Sequence, residues 1–148
     1  MKLKISYLLL FLWLVLIFYM SSQVATTSSG LSSIFVEPIR PYAPGFAEGI
    51  LTTLVRKSAH IFLYFVLGIL IYNVLRGHKL SSKKLVSYSV LFAGLYAVTD
   101  EIHQSFVPGR SAEVRDVIID TIGAALGVAF FWSVLKYKNL KTESDDKS

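Results

Sequence analysis

Four long apolar stretches, separated by polar segments, set the pattern of the chain. The predicted spans cover about residues 4–20, 58–75, 85–102 and 114–135. At a rise of about 1.5 Å per residue, each span approaches or crosses a hydrocarbon layer of about 30 Å. The pattern therefore predicts an all-α polytopic membrane protein, in which four transmembrane helices form a compact antiparallel bundle. The 148 residues have room for one domain, residues 1–148.

The first span has a second interpretation. Lys2 and Lys4 precede it, and small residues follow it at Ser21, Ser22 and Ala25, as in a secretory signal peptide. We favour a retained transmembrane helix, because the small-residue cleavage pattern is poor and three further spans follow.

Two segments outside the spans have other patterns. Between Ser21 and Val55, the prolines at positions 38, 41 and 44 exclude a regular helix. The helical pattern of residues 46–55 predicts a segment that either lies along the membrane surface or leads into the second span. The tail, residues 136–148, is polar and charged, and we expect it to be disordered and cytoplasmic.

The composition also favours a membrane protein. Hydrophobic residues make up 53% of the chain, and the mean hydropathy is +0.55. The absence of cysteine excludes disulfides, thiolate chemistry and sulfur-ligated zinc. Because the basic residues lie beside apolar runs rather than on a soluble fold, we expect contact with membrane lipids and no nucleic-acid binding.

The distribution of the basic residues predicts the orientation. With four spans, both termini lie on one side of the membrane. Ten of the 15 basic residues lie on that side, namely Lys2, Lys4, Arg76, Lys79, Lys83, Lys84, Lys136, Lys138, Lys141 and Lys147. The other side holds Arg40, Arg56, Lys57, Arg110 and Arg115. The excess predicts a multi-pass protein of the cell membrane with both termini cytoplasmic.

This topology brings polar residues from three spans to the outer face of the membrane. They lie at the start of the second span, the end of the third and the start of the fourth. A charge near the centre of a bilayer costs about 2.5–3.5 kcal/mol on insertion scales, so such residues suggest a functional site. The predicted binding residues are Lys57, His60, Asp100, Glu101, Gln104, Arg110, Asp116 and Asp120.

Simpler interpretations stay open for several polar residues. Lys57 and Arg110 would also suit contact with lipid phosphates, and Arg110 on its Pro-Gly turn could instead fold back over the cluster. The acidic pair at the end of the third span would also suit a helix end in water. We interpret Tyr64 and Phe106 as packing residues.

The reactive residues do not form a complete catalytic constellation. Glu101 and His60 are candidates for a general base and a proton relay. We assign no catalytic residue and favour a non-enzymatic role. A metal site would need His60, His103 and a carboxylate to converge, and no H-E-x-x-H signature supports one. We therefore predict no metal and no cofactor.

The fourth span contains the pattern G-x-x-x-G at Gly123 and Gly127. Small residues at this spacing let two helix backbones approach closely. The pattern would also allow a homo-oligomer to form through this face.

Three segments of the chain resemble a known family. They are Lys57-Ser-Ala-His60 followed by Tyr64 and Leu67-Gly68; Asp100-Glu101-Ile-His-Gln104-Ser-Phe106-Val-Pro108-Gly-Arg110; and Asp116-Val-Ile-Ile-Asp120-Thr-Ile-Gly123 with Gly127. In this order and spacing, over about residues 19–135, they resemble the VanZ-like family of small bacterial membrane proteins, named for a teicoplanin-resistance determinant. Asp120 is one departure, because the family often has Asn there. The resemblance implies a multi-span protein linked to envelope-acting antibiotics, and it supplies no mechanism.

Three functions are consistent with these features. The first is glycopeptide (teicoplanin-like) resistance or envelope protection, through an outward-facing polar pocket that binds an amphiphilic antibiotic or a lipid-linked cell-wall precursor. The second is a membrane-embedded enzyme acting on a lipid or cell-wall precursor. The third is a small transporter or accessory subunit whose charges serve packing. We favour the first, because the resemblance supports it.

Overall fold

A computed structural model of the chain describes residues 2–23, 38 and 48–145, most of which lie in four α-helices. The helices are α1, Lys2–Ser21; α2, Glu48–Leu75; α3, Ser82–Gln104; and α4, Val114–Asp145. All four contain a stretch that is long and apolar enough to cross a membrane. They pack against one another, and the contact between α2 and α4 is the most extensive. The predicted all-α fold with four candidate membrane spans is confirmed.

Two helices are longer than predicted. α2 begins at Glu48, so the helical segment before residue 56 leads into the second span. α4 continues to Asp145, so the prediction of a disordered tail is wrong for residues 136–145. That segment contains neither proline nor glycine, and the helix therefore propagates out of the span without interruption. The prolines at 41 and 44 and the last three residues lie outside the described residues.

Small residues let α2 and α4 contact each other backbone to backbone. A Cβ atom added at Gly123 would lie 2.8 Å from the carbonyl oxygen of Ile61, and one added at Gly127 would overlap the carbonyl of Phe65. Gly68 on α2 approaches α4 equally closely. The G-x-x-x-G face is thus occupied within the chain, whereas the sequence had suggested that it could pair two copies. Oligomerisation itself stays a prediction.

Hydrogen bonds hold α1 against the rest of the bundle. Only 6% of its apolar window is buried, compared with 28–33% for the other three helices. The indole of Trp13 donates to the carbonyl of Leu63 at 2.9 Å, and the hydroxyl of Tyr96 donates to the carbonyl of Leu14 at 2.7 Å. Helices in lipid gain little from apolar burial between them, so such bonds and close packing fix their register.

The antiparallel order places four helix ends on the same side of the bundle, and α2 extends beyond the other three. The four ends are the end of α1, the beginning of α2, the end of α3 and the beginning of α4. The connection between α3 and α4 turns at Gly109, whose φ of 79° lies in the left-handed region that favours glycine. The amide of Arg110 then donates to the carbonyl of Val107 at 3.1 Å. This tight connection returns the chain over the polar helix ends.

We predict that Gly127→Ala destabilises the folded protein by about 1–3 kcal/mol, because the added methyl group overlaps backbone of α2 that cannot rotate away. Thermal unfolding of the purified protein in detergent measures the effect. The matched control is Gly94→Ala, whose Cβ meets the side chain of Thr121 at 3.3 Å and should cost much less. Equal unfolding temperatures for the two variants would contradict the proposed α2–α4 contact.

Candidate functional site

A pocket opens where the polar ends of α2 and α4 meet the connection after α3. Its volume is about 80 Å³. Six of the predicted binding residues line it, namely Lys57, His60, Gln104, Arg110, Asp116 and Asp120. The other two, Asp100 and Glu101, are buried and bond to residues that line the pocket. The structure therefore brings all eight together.

At the edge of the pocket, Lys57 pairs with two carboxylates. Its ammonium group donates a hydrogen bond to Asp116 and lies 3.7 Å from Oε2 of Glu113. The side chains of Lys57 and Asp116 are 24% and 25% exposed. The pair is therefore mostly shielded from water, and each carboxylate helps to compensate the charge of the Lys57 ammonium group.

Gln104 joins three parts of the chain. Its amide nitrogen donates to Oδ2 of Asp100 at 3.1 Å and lies 3.5 Å from the hydroxyl of Ser21, the last residue of α1. Its amide oxygen accepts a hydrogen bond from Nη1 of Arg110 at 3.0 Å. An amide both donates and accepts, so Gln104 can bond an anion and a cation at once.

The connection after α3 folds back over the polar cluster. The backbone amide of Glu113 donates to Oε2 of Glu101 at 2.8 Å, which ties the start of α4 to the end of α3. Burial of the Arg110 guanidinium, reinforced by the nearby charge of Arg56, lowers the pKa of Arg110, while the carboxylates around it act in the opposite direction. Arg110 therefore lies over the cluster, which is one of the two alternatives that the sequence left open.

His60, Asp100 and Asp120 form the buried part of the site, which we call the inner cluster. Nδ1 of His60 lies 3.4 Å from Oδ2 of Asp120. One potential ligand atom from each of the three residues lies within 4.8 Å of the other two. Asp100 is 3% exposed and Asp120 is 1% exposed. Chemically, such a cluster can move a proton between imidazole and carboxylate or hold a cation.

Among the residues at the site that sequence reasoning did not assign to it are Arg56, which lines the pocket beside Lys57, and Tyr64, Glu113 and Ser21. Tyr64, taken only for packing, lies one turn after His60 on α2, a spacing that could have revealed it. Glu113 directly precedes α4, where its carboxylate also faces Lys57. Ser21 gave no signal, because its proximity to Gln104 depends on how α1 packs.

The structure answers one question that the sequence left open and corrects one interpretation. His103 does not join the inner cluster, because its ring stacks on Phe18 with the ring centroids 4.2 Å apart. A metal site built on His60 and His103 is therefore not formed among the described residues. Phe106 is 81% exposed, so its interpretation as a packing residue is wrong.

Comparison with known proteins decides the family. The sequence model of VanZ/LLP1 matches residues 6–136. The chain belongs to the VanZ/LLP1 family. The match includes every residue of the pocket and of the inner cluster, so the site is part of the VanZ/LLP1 region of the chain. No curated protein and no solved structure matches the chain.

We predict that Gln104→Leu destabilises this VanZ/LLP1 protein by about 1–3 kcal/mol, because leucine removes the amide that bridges buried Asp100 and Arg110. Thermal unfolding in detergent measures it. Ser105→Ala is the control, since that exposed hydroxyl bonds a carbonyl of its own helix. If Gln104→Leu unfolds at the temperature of the control, the bridging role is refuted.

Proposed function

We propose that this VanZ/LLP1 protein protects the cell envelope by binding the polar headgroup of an amphiphilic molecule in its pocket. The observation that carries the proposal is the grouping of three cationic side chains, Arg56, Lys57 and Arg110, around one cavity. Ammonium and guanidinium groups are the usual partners of phosphate and carboxylate, and guanidinium can bind them bidentately. The physiological outcome that we propose is resistance to glycopeptides of the teicoplanin type.

The size of the pocket limits what it can bind. Pockets for drug-sized ligands measure about 300–1,000 Å³, whereas this one measures about 80 Å³. A whole glycopeptide is therefore too large, and only a headgroup or a single acidic group enters. The ligand is then an anionic amphiphile, either a lipid-linked cell-wall precursor or an antibiotic that carries a lipid chain.

The helix surfaces beside the pocket suit the apolar part of such a ligand. Large hydrophobic side chains are exposed on the part of each helix that lies nearest the pocket. They include Val98 and Ile102 near the end of α3, and Ile118 and Ile122 near the beginning of α4. In a membrane these faces contact lipid tails. A ligand with a hydrocarbon chain can therefore remain in the bilayer while its headgroup enters the pocket.

The excess of basic residues near the termini supports an outward-facing pocket. By the positive-inside rule, the chain ends face the cytoplasm, and the polar helix ends then face the outside of the cell membrane. That side is where glycopeptides act on the envelope. The proposed orientation and the proposed function therefore agree.

A second candidate function is a membrane-embedded enzyme that acts on a lipid or cell-wall precursor. The observation in its favour is Glu101, which is 4% exposed and has one carboxylate oxygen without a hydrogen-bond partner among the described residues. Such an oxygen can accept a proton, and the neighbouring inner cluster, through His60, can pass it on. Such an enzyme would need the ionisable carboxylate of Glu101, and an amide of the same shape would not replace it.

We predict that Lys57→Gln and Arg110→Gln each reduce protection against a lipoglycopeptide at least about tenfold, because each removes a cation that binds the headgroup. Minimal inhibitory concentrations of cells expressing each variant measure the effect, with protein levels compared by immunoblot. The matched control is Lys79→Gln, an exposed lysine at the opposite end of the bundle. Unchanged protection by both site variants would refute the binding proposal.

Glu101→Gln separates the two functions in the same assay. Glutamine keeps the acceptor for the amide of Glu113, so binding predicts that protection is retained. If Glu101 is a general base, Glu101→Gln should abolish protection. The lipid headgroup profile of the cells should then revert to that of cells without the gene.

A further inference from the structure

We propose that His60, Asp100 and Asp120 form a binding site for a divalent transition-metal ion such as Zn²⁺ or Mn²⁺. The inference is independent of the proposed headgroup binding, because it concerns the inner cluster rather than the cations at the edge of the pocket.

The distances between the side chains are compatible with metal ligation as well as with a long hydrogen bond between His60 and Asp120. Nδ1 of His60 and Oδ2 of Asp120 are 3.4 Å apart. This is longer than a normal N–H···O hydrogen bond of about 2.7–3.2 Å. Two ligand atoms of a tetrahedral ion with bonds of about 2.0–2.1 Å lie about 3.4 Å from each other. Asp100 contributes a third ligand atom, within 4.8 Å of the other two.

The buried oxygens of the inner cluster are incompletely bonded. Oδ1 of Asp100 and Oδ1 of Asp120 have no hydrogen-bond partner among the described residues. Both side chains are more than nine-tenths buried. Each carboxylate has a partner at Oδ2, Gln104 for Asp100 and His60 for Asp120, and leaves Oδ1 unbonded. Burying incompletely bonded carboxylates is costly, so two of them side by side favour a cation between them.

Tyr64 provides a second observation that points to a ligand. Its side chain is fully buried, and its hydroxyl faces Asp100 without completing a hydrogen bond of normal geometry to any described residue. The hydroxyl lies close enough to Asp100 and Asp120 to interact with both electrostatically. A polar group of this kind can bond a water molecule or an anion that is itself held by a metal ion.

The protein cations around the inner cluster only partly compensate its charge. Lys57 pairs with Asp116 and Glu113 at the edge of the pocket. Arg110 donates to Gln104 and interacts with Asp100, so it offsets part of one carboxylate charge. His60 compensates the charge of Asp120 only when its ring is protonated. With a neutral imidazole, as in a metal ligand, two carboxylates remain, and a divalent ion compensates both.

The ligand set and its access indicate which ions fit. One imidazole nitrogen with two carboxylate oxygens suits Zn²⁺ and Mn²⁺, whereas Mg²⁺ prefers oxygen ligands and keeps several waters. His60 and Asp120 line the pocket, so an ion can reach them from it. Three protein ligands also leave coordination positions for a water or a ligand group.

Metal content of the purified protein tests the proposal. The protein in nanodiscs is stripped with a chelator, equilibrated with Zn²⁺ or Mn²⁺, freed of unbound ions and analysed by mass spectrometry of the elements. We expect about one ion per chain, retained in the presence of excess Mg²⁺. Calorimetric titration gives the affinity, which should fall more than about tenfold in Asp100→Asn, Asp120→Asn and His60→Gln.

Two matched variants control for charge and for histidine. Asp116→Asn makes the same charge change one turn before Asp120 on α4, and His78→Gln removes an exposed histidine at the other end of the bundle. His78→Gln should keep the ion with unchanged affinity. Asp116→Asn should weaken binding much less than Asp120→Asn, because Asp116 acts on the inner cluster only through its charge. Because the site variants could lose structure, the helix content and size-exclusion profile of each variant are compared without metal. In addition, Zn²⁺ should raise the unfolding temperature of the unsubstituted chain but not that of Asp120→Asn.

The proposal is overturned if the unsubstituted protein retains far less than one ion per chain. It is also overturned if Asp116→Asn weakens binding as much as Asp120→Asn, since the ions would then follow general negative charge. Metal content and metal affinity are both measured on purified protein, so their results do not depend on whether the protein protects cells in the resistance assay.

Discussion

Polar side chains inside a membrane-crossing bundle have no bulk water to bond, so they must find partners on neighbouring helices. In this chain the backbone contact between α2 and α4 makes such partners available. It sets His60 opposite Asp120 and Lys57 opposite Asp116, about one turn apart along the same pair of helices. The glycines that allow the contact lie immediately beyond these pairs on α4. Helix packing and charge pairing therefore depend on each other.

The site changes in character with depth. Its edge carries the partly exposed ion pairs of Lys57 with Glu113 and Asp116. Gln104, Arg110 and Glu101 then tie α3 and the connection to α4 into a fixed frame. The inner cluster is largely buried, and each of its two aspartates has one oxygen without a hydrogen-bond partner among the described residues. The headgroup binding that we propose would take place at the edge, and the cation binding that we propose would take place in the inner cluster.

Hydropathy and the order of polar segments were sufficient to predict four spans, their antiparallel arrangement and the residues gathered at one end. They could not predict which side chains pair, because pairing depends on the rotation and register of each helix. For the same reason Ser21 and Tyr64 were not assigned to the site, and the sequence left open whether Gly123 and Gly127 contact a helix of the same chain or of a second copy. The helical segment after residue 135 was missed because a polar composition without helix breakers suits both a disordered tail and a continuing helix.

The convergence of α2 and α4 at the polar end is the central claim, and crosslinking in membranes tests it most directly. The chain contains no cysteine, so only introduced thiols react. Lys57→Cys combined with Asp116→Cys should form an intramolecular crosslink with a short bifunctional reagent. His78→Cys combined with Asp116→Cys, at opposite ends of the bundle, should not. A chain in which the first pair fails to crosslink although both thiols are labelled, or in which the two pairs crosslink equally, would contradict the account.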